Sequence, residues 1–429
     1  MDKPAKTKKP NIREIMGEDF MWGASTAGHQ VEGGNYDQWT VWELAHAKEL
    51  AETAADRLRW LPGWLNIKDQ AEDPDNYVAG KGVDHIHHYK EDFAILKKLN
   101  MNAFRFGIEW SRVEPDMGVW DKTALDHYHN YLDELKKLGM EPIVNLWHWT
   151  MPVWFAESGG FSKRNNIARF VRFAKKIAEE FGDEITYVLT INEPNVYCSF
   201  SYMSGEWPPQ EKNIVKALWT YGNLAKAHRE VYKVMKNLKP HLQIGVASQF
   251  GNGQPKRPGH WLDSRVARLA DYGWNWWFIN RIRHCQDFVG FNYYFTNYYQ
   301  GMKIVNPQTP LNDLGWYMEP GGLAEVIIKT WLRYRKPIMI TENGVADQKD
   351  AQRQWWLEET FEALITARKA GADVIGYLHW SLLDNFEWKY GWWPKFGLIK
   401  VDRERGMKRV VRPSAVWLSE QLKLDADER

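Results

Sequence analysis

Short apolar runs recur along the chain with amphipathic stretches between them. The runs are 20–26, 103–110, 141–149, 187–194, 243–248, 287–295, 337–344 and 374–384. Most are continuously apolar rather than alternating, as expected of parallel strands covered on both faces. The intervening stretches carry helical spacing. In 164–182 the residues Ile167, Phe170, Val171, Ala174, Ile177, Ala178 and Phe181 share one stripe, with Gly182 placed as a C-terminal cap. Residues 124–139 repeat the pattern up to Gly139, and 351–371 repeat it up to Gly371. Eight strands alternating with helices predict a single α/β (β/α)8 barrel with extended loops at its C-terminal face. The polar stretch 45–84 reads as a loop excursion after the first strand that carries some helix. No linker divides the chain, so residues 13–429 form one expected domain behind a short, solvated basic tail at 1–12.

In such a barrel the chemistry lies at the C-terminal ends of the strands. Polar residues gather there: Gln30, Arg105, His148–Trp149, Asn192–Glu193, Asn292 to Tyr294, Glu342–Asn343 and Trp380, with Glu387–Trp388 in the next loop. Glu193 and Glu342 close the fourth and seventh strands, on opposite sides of the ring. Two carboxylates facing each other over a cleft suit glycoside hydrolysis, in which one protonates the leaving oxygen and the other attacks the anomeric carbon or activates water. A structural ion pair or a metal-binding carboxylate pair satisfies the same placement.

Composition adds three constraints. Lys plus Arg number 56 and Asp plus Glu 55, a balance that gives no support for a nucleic-acid or membrane-surface partner. Only two cysteines are present, Cys198 and Cys285, and the basic start is followed by no apolar signal region, so a reduced, cytoplasmic setting is expected. The chain holds 25 Trp, which suits either an aromatic core or a cleft offering flat faces to sugar rings. "HIHHY" at 85–89 opens a helix pattern away from the first strand's end, and neither metal nor cofactor is expected. Cys198 lacks the partners of a thiol nucleophile and reads as a small buried residue.

Seven stretches in order, "FMWGASTAGHQVEGG" (20–34), "FRFGIEWSRVEP" (104–115), "LWHWTMP" (146–152), "TINEP" (190–194), "GFNYY" (290–294), "ITENG" (340–344) and "WSLLDNFEW" (380–388), resemble glycoside hydrolase family 1, the retaining β-glucosidase and β-galactosidase family. The resemblance implies that Glu342 is the nucleophile and Glu193 the acid/base, with carboxyls roughly 5–5.5 Å apart. Glu342 must stay ionised, so Arg105 should lie beside it, and Tyr294 matches the family tyrosine that bonds the nucleophile. Glu193 must hold its proton near neutral pH, which calls for a drier or more negative setting. Asn192 matches the residue that bonds the sugar 2-hydroxyl.

Gln30, His148, Trp149, Glu387 and Trp388 match the family's glycone pocket, with Gln30 and Glu387 holding the 3-, 4- and 6-hydroxyls and Trp380 as the stacking floor. Trp316 matches a tryptophan of the aglycone wall. In the 6-phospho-glycosidase branch of the family a Ser, a Lys and a Tyr bind the phosphate. Here those positions are Glu387, Pro394 and Phe396, with Lys395 one residue out of register. The implied substrate is therefore an unphosphorylated β-glycoside or short oligosaccharide, glucosidic and also galactosidic or fucosidic. The segment 249–286 is shorter than is usual in the family, and a trimmed loop on the mouth side would open the cleft. A sugar-binding protein on an inactive scaffold would lack one of the two glutamates, and both are present. Transglycosylation uses the same intermediate and is not separated from hydrolysis by these residues.

Overall fold

A computed structural model describes residues 11–424. Eight parallel strands close into a ring: β1 Met21–Ser25, β2 Ala103–Gly107, β3 Glu141–Asn145, β4 Tyr187–Asn192, β5 Gln243–Pro255, β6 Val289–Gln300, β7 Ile338–Asn343 and β8 Val374–Trp380. Their order is β5–β4–β3–β2–β1–β8–β7–β6, and β5 pairs with β6 to shut the barrel. The expected (β/α)8 architecture is the one observed. Strands β1 to β4, β7 and β8 are shorter than their apolar runs, because chain that continues past the rim leaves the ladder and turns into the mouth.

One buried apolar residue from nearly every strand forms a plug inside the ring: Met21, Ala103, Ile143, Leu189, Ala247, Met339 and Leu378, with Phe288 just ahead of β6. Side chains two apart on a strand share a face. Arg105 and Trp380 thus stand inward one layer above Ala103 and Leu378. Asn192 and Glu342 are an odd three residues beyond Leu189 and Met339, which strict alternation would turn outward. Register shifts fall within both intervals, at Leu189/Asn192 against β5 and between Ile340 and Glu342 against Phe291 and Asn292 of β6. Such irregularities re-aim side chains at barrel rims. Gly344 follows at once. A Cβ there would collide with the Trp380 carbonyl oxygen, so this glycine lets the ends of β7 and β8 approach closely. It is a close-approach glycine rather than the turn residue that "ENG" suggests.

The outer helices bury the expected faces. Ile167–Phe181 buries Ile167, Phe170, Phe173, Ala174, Ile177, Ala178 and Phe181, so Phe173 takes the fully buried place expected of Val171. Gly139 and Gly371 are left-handed as helix ends require, at φ +65° and +87°. Gly182 is not: its φ is −61°, and it is small because a Cβ would strike the Ala178 carbonyl.

The excursion after β1 is more helical than its polarity suggests, with Gln38–Glu52, Ala54–Leu58 and Trp64–Ala71. Asp37 caps the first of these by accepting from the Thr40 N–H at 2.9 Å. Ala54, Leu58, Leu61 and Ile67 bury themselves against Trp380, Trp393 and Phe396 over the mouth. The segment 249–286 is likewise not a bare trimmed loop. β5 runs on beyond the rim because Asn252 to Pro255 pair with Thr296 to Tyr299 of β6, and helix Trp261–Asp271 follows.

The expected basic tail lies outside the described residues through Pro10. Asn11 and Ile12 belong instead to the folded body. Asn11 caps helix Ile12–Met16 and donates to the Lys423 carbonyl at 2.7 Å, a tie that Ile12 reinforces by burial. Among the described residues no helix is long and apolar enough to cross a membrane.

Candidate active site

The strand ends surround a cleft of about 710 Å3. Glu193, Glu342, Tyr294, His148, Trp149, Trp316, Trp380, Glu387 and Trp388 reach its wall. Arg105, Asn192 and Gln30 lie immediately behind it, fully buried.

Glu342 is held at both oxygens. Arg105 Nη1 donates to Oε1, and the Tyr294 hydroxyl donates to Oε2 at 2.6 Å. Burial, with the Glu342 charge next, pushes the Tyr294 phenol well above its ordinary range, so Tyr294 keeps the proton it donates. Arg105 Nη2 also donates to Asn192 Oδ1 at 2.7 Å. Asn292 Nδ2 donates to that same oxygen at 3.1 Å. With Oδ1 occupied as an acceptor, Asn192 Nδ2 is the donor toward His148 Nε2 at 3.0 Å. His148 therefore accepts at Nε2 and carries its proton at Nδ1. Burial, and secondarily the Arg105 charge, keep this imidazole neutral by pushing its pKa far down.

Glu193 sits in a different environment. Its Oε1 accepts one hydrogen bond, from Asn292 Nδ2 at 2.9 Å. Burial raises its pKa well above the ordinary carboxyl value, and the Glu342 charge adds to the rise. Asn292 and Arg105 pull the other way without offsetting it. The two carboxyls thus sit in unlike surroundings: Glu342 is paired with a guanidinium and accepts from a phenol, and Glu193 is buried beside that negative neighbour.

Glu387 forms the far wall. It accepts from Asn385 Nδ2 at 2.9 Å, and burial, opposed by that hydrogen bond, pushes its carboxyl up to about 8. Gln30 Nε2 donates to the Phe386 carbonyl at 2.6 Å, while its buried Oε1 and His148 Nδ1 have no partner among the described residues. Trp380 lies nearly parallel to His148 at 5.8 Å, and Trp316 stands edge-on to Tyr294 at 6.0 Å. Three wall residues adopt left-handed backbone conformations: Glu193 at φ +42°, Trp149 at +73° and Trp388 at +50°. For non-glycine residues such conformations cost on the order of 1 kcal/mol each and cluster at functional sites.

A sequence profile for glycosyl hydrolase family 1 matches residues 12–284 and 279–426, nearly the whole chain. The chain belongs to glycosyl hydrolase family 1. Beta-glucosidase A of Thermotoga maritima is 28% identical, over 95% of this chain and 97% of that protein. A wheat (Triticum aestivum) chloroplastic β-D-glucosidase, named for a benzoxazinyl glucoside, is 28% identical over 95% of this chain and 82% of its own length. The solved β-glycosidase from Pyrococcus horikoshii superposes with a TM-score of 0.83 at 29% identity, covering 95% of this chain and 94% of that one. The protein is accordingly a glycoside hydrolase of the β-glucosidase type.

Two parts of this family 1 site went unread in the sequence. Asn292 was visible as a polar strand end without an assigned partner. Its aim is fixed by Thr341, whose hydroxyl donates to Asn292 Oδ1 at 2.6 Å and so turns Nδ2 to Glu193. Behind Trp388 lies His29, parallel to the indole at 5.7 Å and bonded to Asp37 at 2.9 Å and Glu43 at 2.6 Å. Despite its burial, the two carboxylates raise the His29 pKa well above normal, so a buried imidazolium backs Trp388. "HIHHY" is spent elsewhere. His85 bridges Asp92 and the Tyr131 hydroxyl, both at 2.7 Å, inside the helical shell. Cys198 is buried on helix Pro194–Cys198, with its thiol pushed well up by desolvation.

Proposed function

We propose that the protein is an exo-acting, retaining β-glucosidase of a single catalytic domain that removes unphosphorylated glucose-like residues through a covalent glycosyl-enzyme. The observation that carries this reading is the unequal treatment of the two carboxyls. Glu342, with both oxygens engaged by Arg105 and Tyr294, is an ionised nucleophile. Glu193, buried beside that charge, is a protonated acid.

In the first step the Glu193 proton passes to the glycosidic oxygen as a Glu342 oxygen bonds to the anomeric carbon and the aglycone leaves as its alcohol. Bond formation consumes the Glu342 charge, which removes one cause of the raised Glu193 pKa. Glu193 is then a carboxylate able to take a proton from water, whose oxygen displaces Glu342 from the same face that the aglycone left. Asn192 Nδ2, aimed by Arg105, is the donor for the 2-hydroxyl. Glu387, Gln30 and His148 offer the hydrogen-bonding ends for the remaining hydroxyls, and Trp380 stacks beneath the ring. Glu387 would repel a 6-phosphate, and Phe396 supplies no cation. The two free thiols and the lack of an apolar crossing helix among the described residues support a reduced, cytoplasmic setting.

Two measurements test this. Proton NMR of the first-formed sugar should show the β anomer from a β-glucoside, and an initial α anomer would mean inversion. Glu342→Gly should lose turnover and regain it with azide, releasing the α-glycosyl azide. Wild-type-like turnover without azide would remove Glu342 as nucleophile.

A further inference from the structure

The outer half of the cleft differs in character from the sugar end. Its walls come from the segment after β6, from the β6 extension and from the excursion: Ile304, Val305, Pro307, Leu311, Phe295 and Trp60. Ile304 and Trp60 stay 54% and 63% exposed, an apolar rim that faces water. Single exposed hydrophobes are ordinary, but a contiguous set around one concavity marks a binding surface.

Most polar groups among them are turned to the protein; Gln308 is exposed and donates only to the Asn306 carbonyl, at 3.5 Å. Gln249 accepts from Trp274 Nε1 and donates to the Phe250 carbonyl at 2.9 Å. Asn306 accepts from the Tyr298 N–H at 2.9 Å and donates to Asn297 Oδ1 at 2.9 Å, which occupies the Asn306 amide and the Asn297 oxygen. Lys389, the cation on this wall, is paired with Glu206. The Trp60 indole N–H is bonded to the Arg57 carbonyl at 2.9 Å.

We propose that this outer cleft selects glycosides whose leaving group is an extended apolar chain rather than a second sugar. The inference rests on the β-glucosidase reading above and specifies its substrate class. A sugar leaving group brings several hydroxyls that lose water on entry, and each unpaired one costs free energy. Trp60 and Phe295 can stack on a sugar face. Ile304, Val305, Pro307 and Leu311 are not flat platforms and offer no side-chain donor or acceptor. An alkyl chain needs neither, and each methylene removed from water favours binding.

The test is kcat/KM for methyl, butyl, hexyl and octyl β-glucosides, each below its micelle concentration, against cellotriose and phenyl β-glucoside. Simple alcohols leave with similar intrinsic difficulty, so chain length isolates contacts outside the sugar site. From butyl to octyl a rise of roughly twofold to fourfold per methylene is expected, since full burial of one CH2 corresponds to about fourfold. Cellotriose should fall below octyl glucoside. Ile304→Ser and Trp60→Ser should each lower the octyl-to-methyl ratio by about threefold or more. A flat chain-length profile, an unchanged ratio in both variants, or cellotriose as the better substrate would overturn the proposal, while turnover of phenyl glucoside would leave the β-glucosidase reading standing. Failure on every glucoside would instead strike that reading.

Discussion

At the inner end of the cleft, buried polar atoms have no partner among the described residues: Gln30 Oε1 and His148 Nδ1, at the end that also holds Glu193 and Glu387. At the outer end the amides of Gln249 and Asn306 are engaged by the protein, and aliphatic side chains are left facing the space. Both ends are rich in aromatic rings, so the aromatic count alone does not separate them. What separates them is where hydrogen-bonding capacity is spent. A site that leaves buried donors and acceptors open discriminates strongly for a ligand that fills them, because any other ligand leaves them unpaired. A site that has already satisfied them discriminates by apolar fit alone.

This contrast can be broken at its inner end most severely. Glu342→Gln should lower kcat by at least about 10^4-fold on every substrate, as loss of a nucleophile does. Residual activity within about tenfold of the parent would shift the nucleophile elsewhere. Glu193→Ala should cost roughly 10^2- to 10^4-fold on alkyl glucosides. It should cost far less on dinitrophenyl glucoside, whose leaving group needs no proton, and equal losses would deny Glu193 its role as acid. Glu387→Gln should cost on the order of 10^2-fold in kcat/KM by removing hydroxyl recognition. The octyl-to-methyl ratio should be unmoved, and a parallel change in that ratio would show that the two ends are not independent.

Smaller effects sharpen the picture. Asn292 favours the ionised form of Glu193 by donating to it, so its loss raises the pKa of the acid. Asn292→Ala should move the alkaline limb of the kcat/KM profile to higher pH, with a loss of about tenfold. A limb that stays in place would make Asn292 a merely structural neighbour. Stability should also depend on pH. Burial holds two carboxyls up, Glu387 at about 8 and Glu109 at about 7, against 4.5 for the free side chain; Glu109 lies buried just past β2, accepting from the Thr150 hydroxyl at 2.8 Å. The folded protein binds these protons more tightly than the unfolded chain, so stability falls as pH rises from about 5 through 8. Thermal melting followed from pH 6 to pH 9 should show that decline, and Glu387→Gln should flatten it.

Much of this was legible in the chain. The apolar runs located all eight strands, and the polar residues at their ends included Glu193, Glu342, Tyr294, His148, Trp149 and Trp380 of the cleft wall. Arg105 could be paired with Glu342 because the nucleophile role implied by the family resemblance demands a nearby cation, and Arg105 stands at the rim of the second strand. Other features depend on tertiary placement. The aim of Asn292 depends on the Thr341 hydroxyl from another strand. The triad of His29, Asp37 and Glu43 is brought together by a turn and a helix whose packing local pattern does not encode. The continuation of β5 past the rim needs its partner on β6, and the seven residues from 249 to 255 carry no apolar run to announce it. Trp60 lies in a stretch whose polarity suggested loop, and only the burial of Leu58 and Leu61 over the mouth makes it a wall.

The left-handed backbone at Glu193 has a consequence for how this enzyme ages and evolves. Glycine occupies that conformation without the steric conflict a Cβ brings, and it also removes a carboxyl from a dry pocket open to the cleft. Glu193→Gly should therefore melt higher than the parent, by on the order of 1–2 °C, while losing the carboxyl. On the acid/base reading proposed above, thermal robustness and turnover pull this position in opposite directions, and selection for turnover holds the carboxyl where heat alone would remove it.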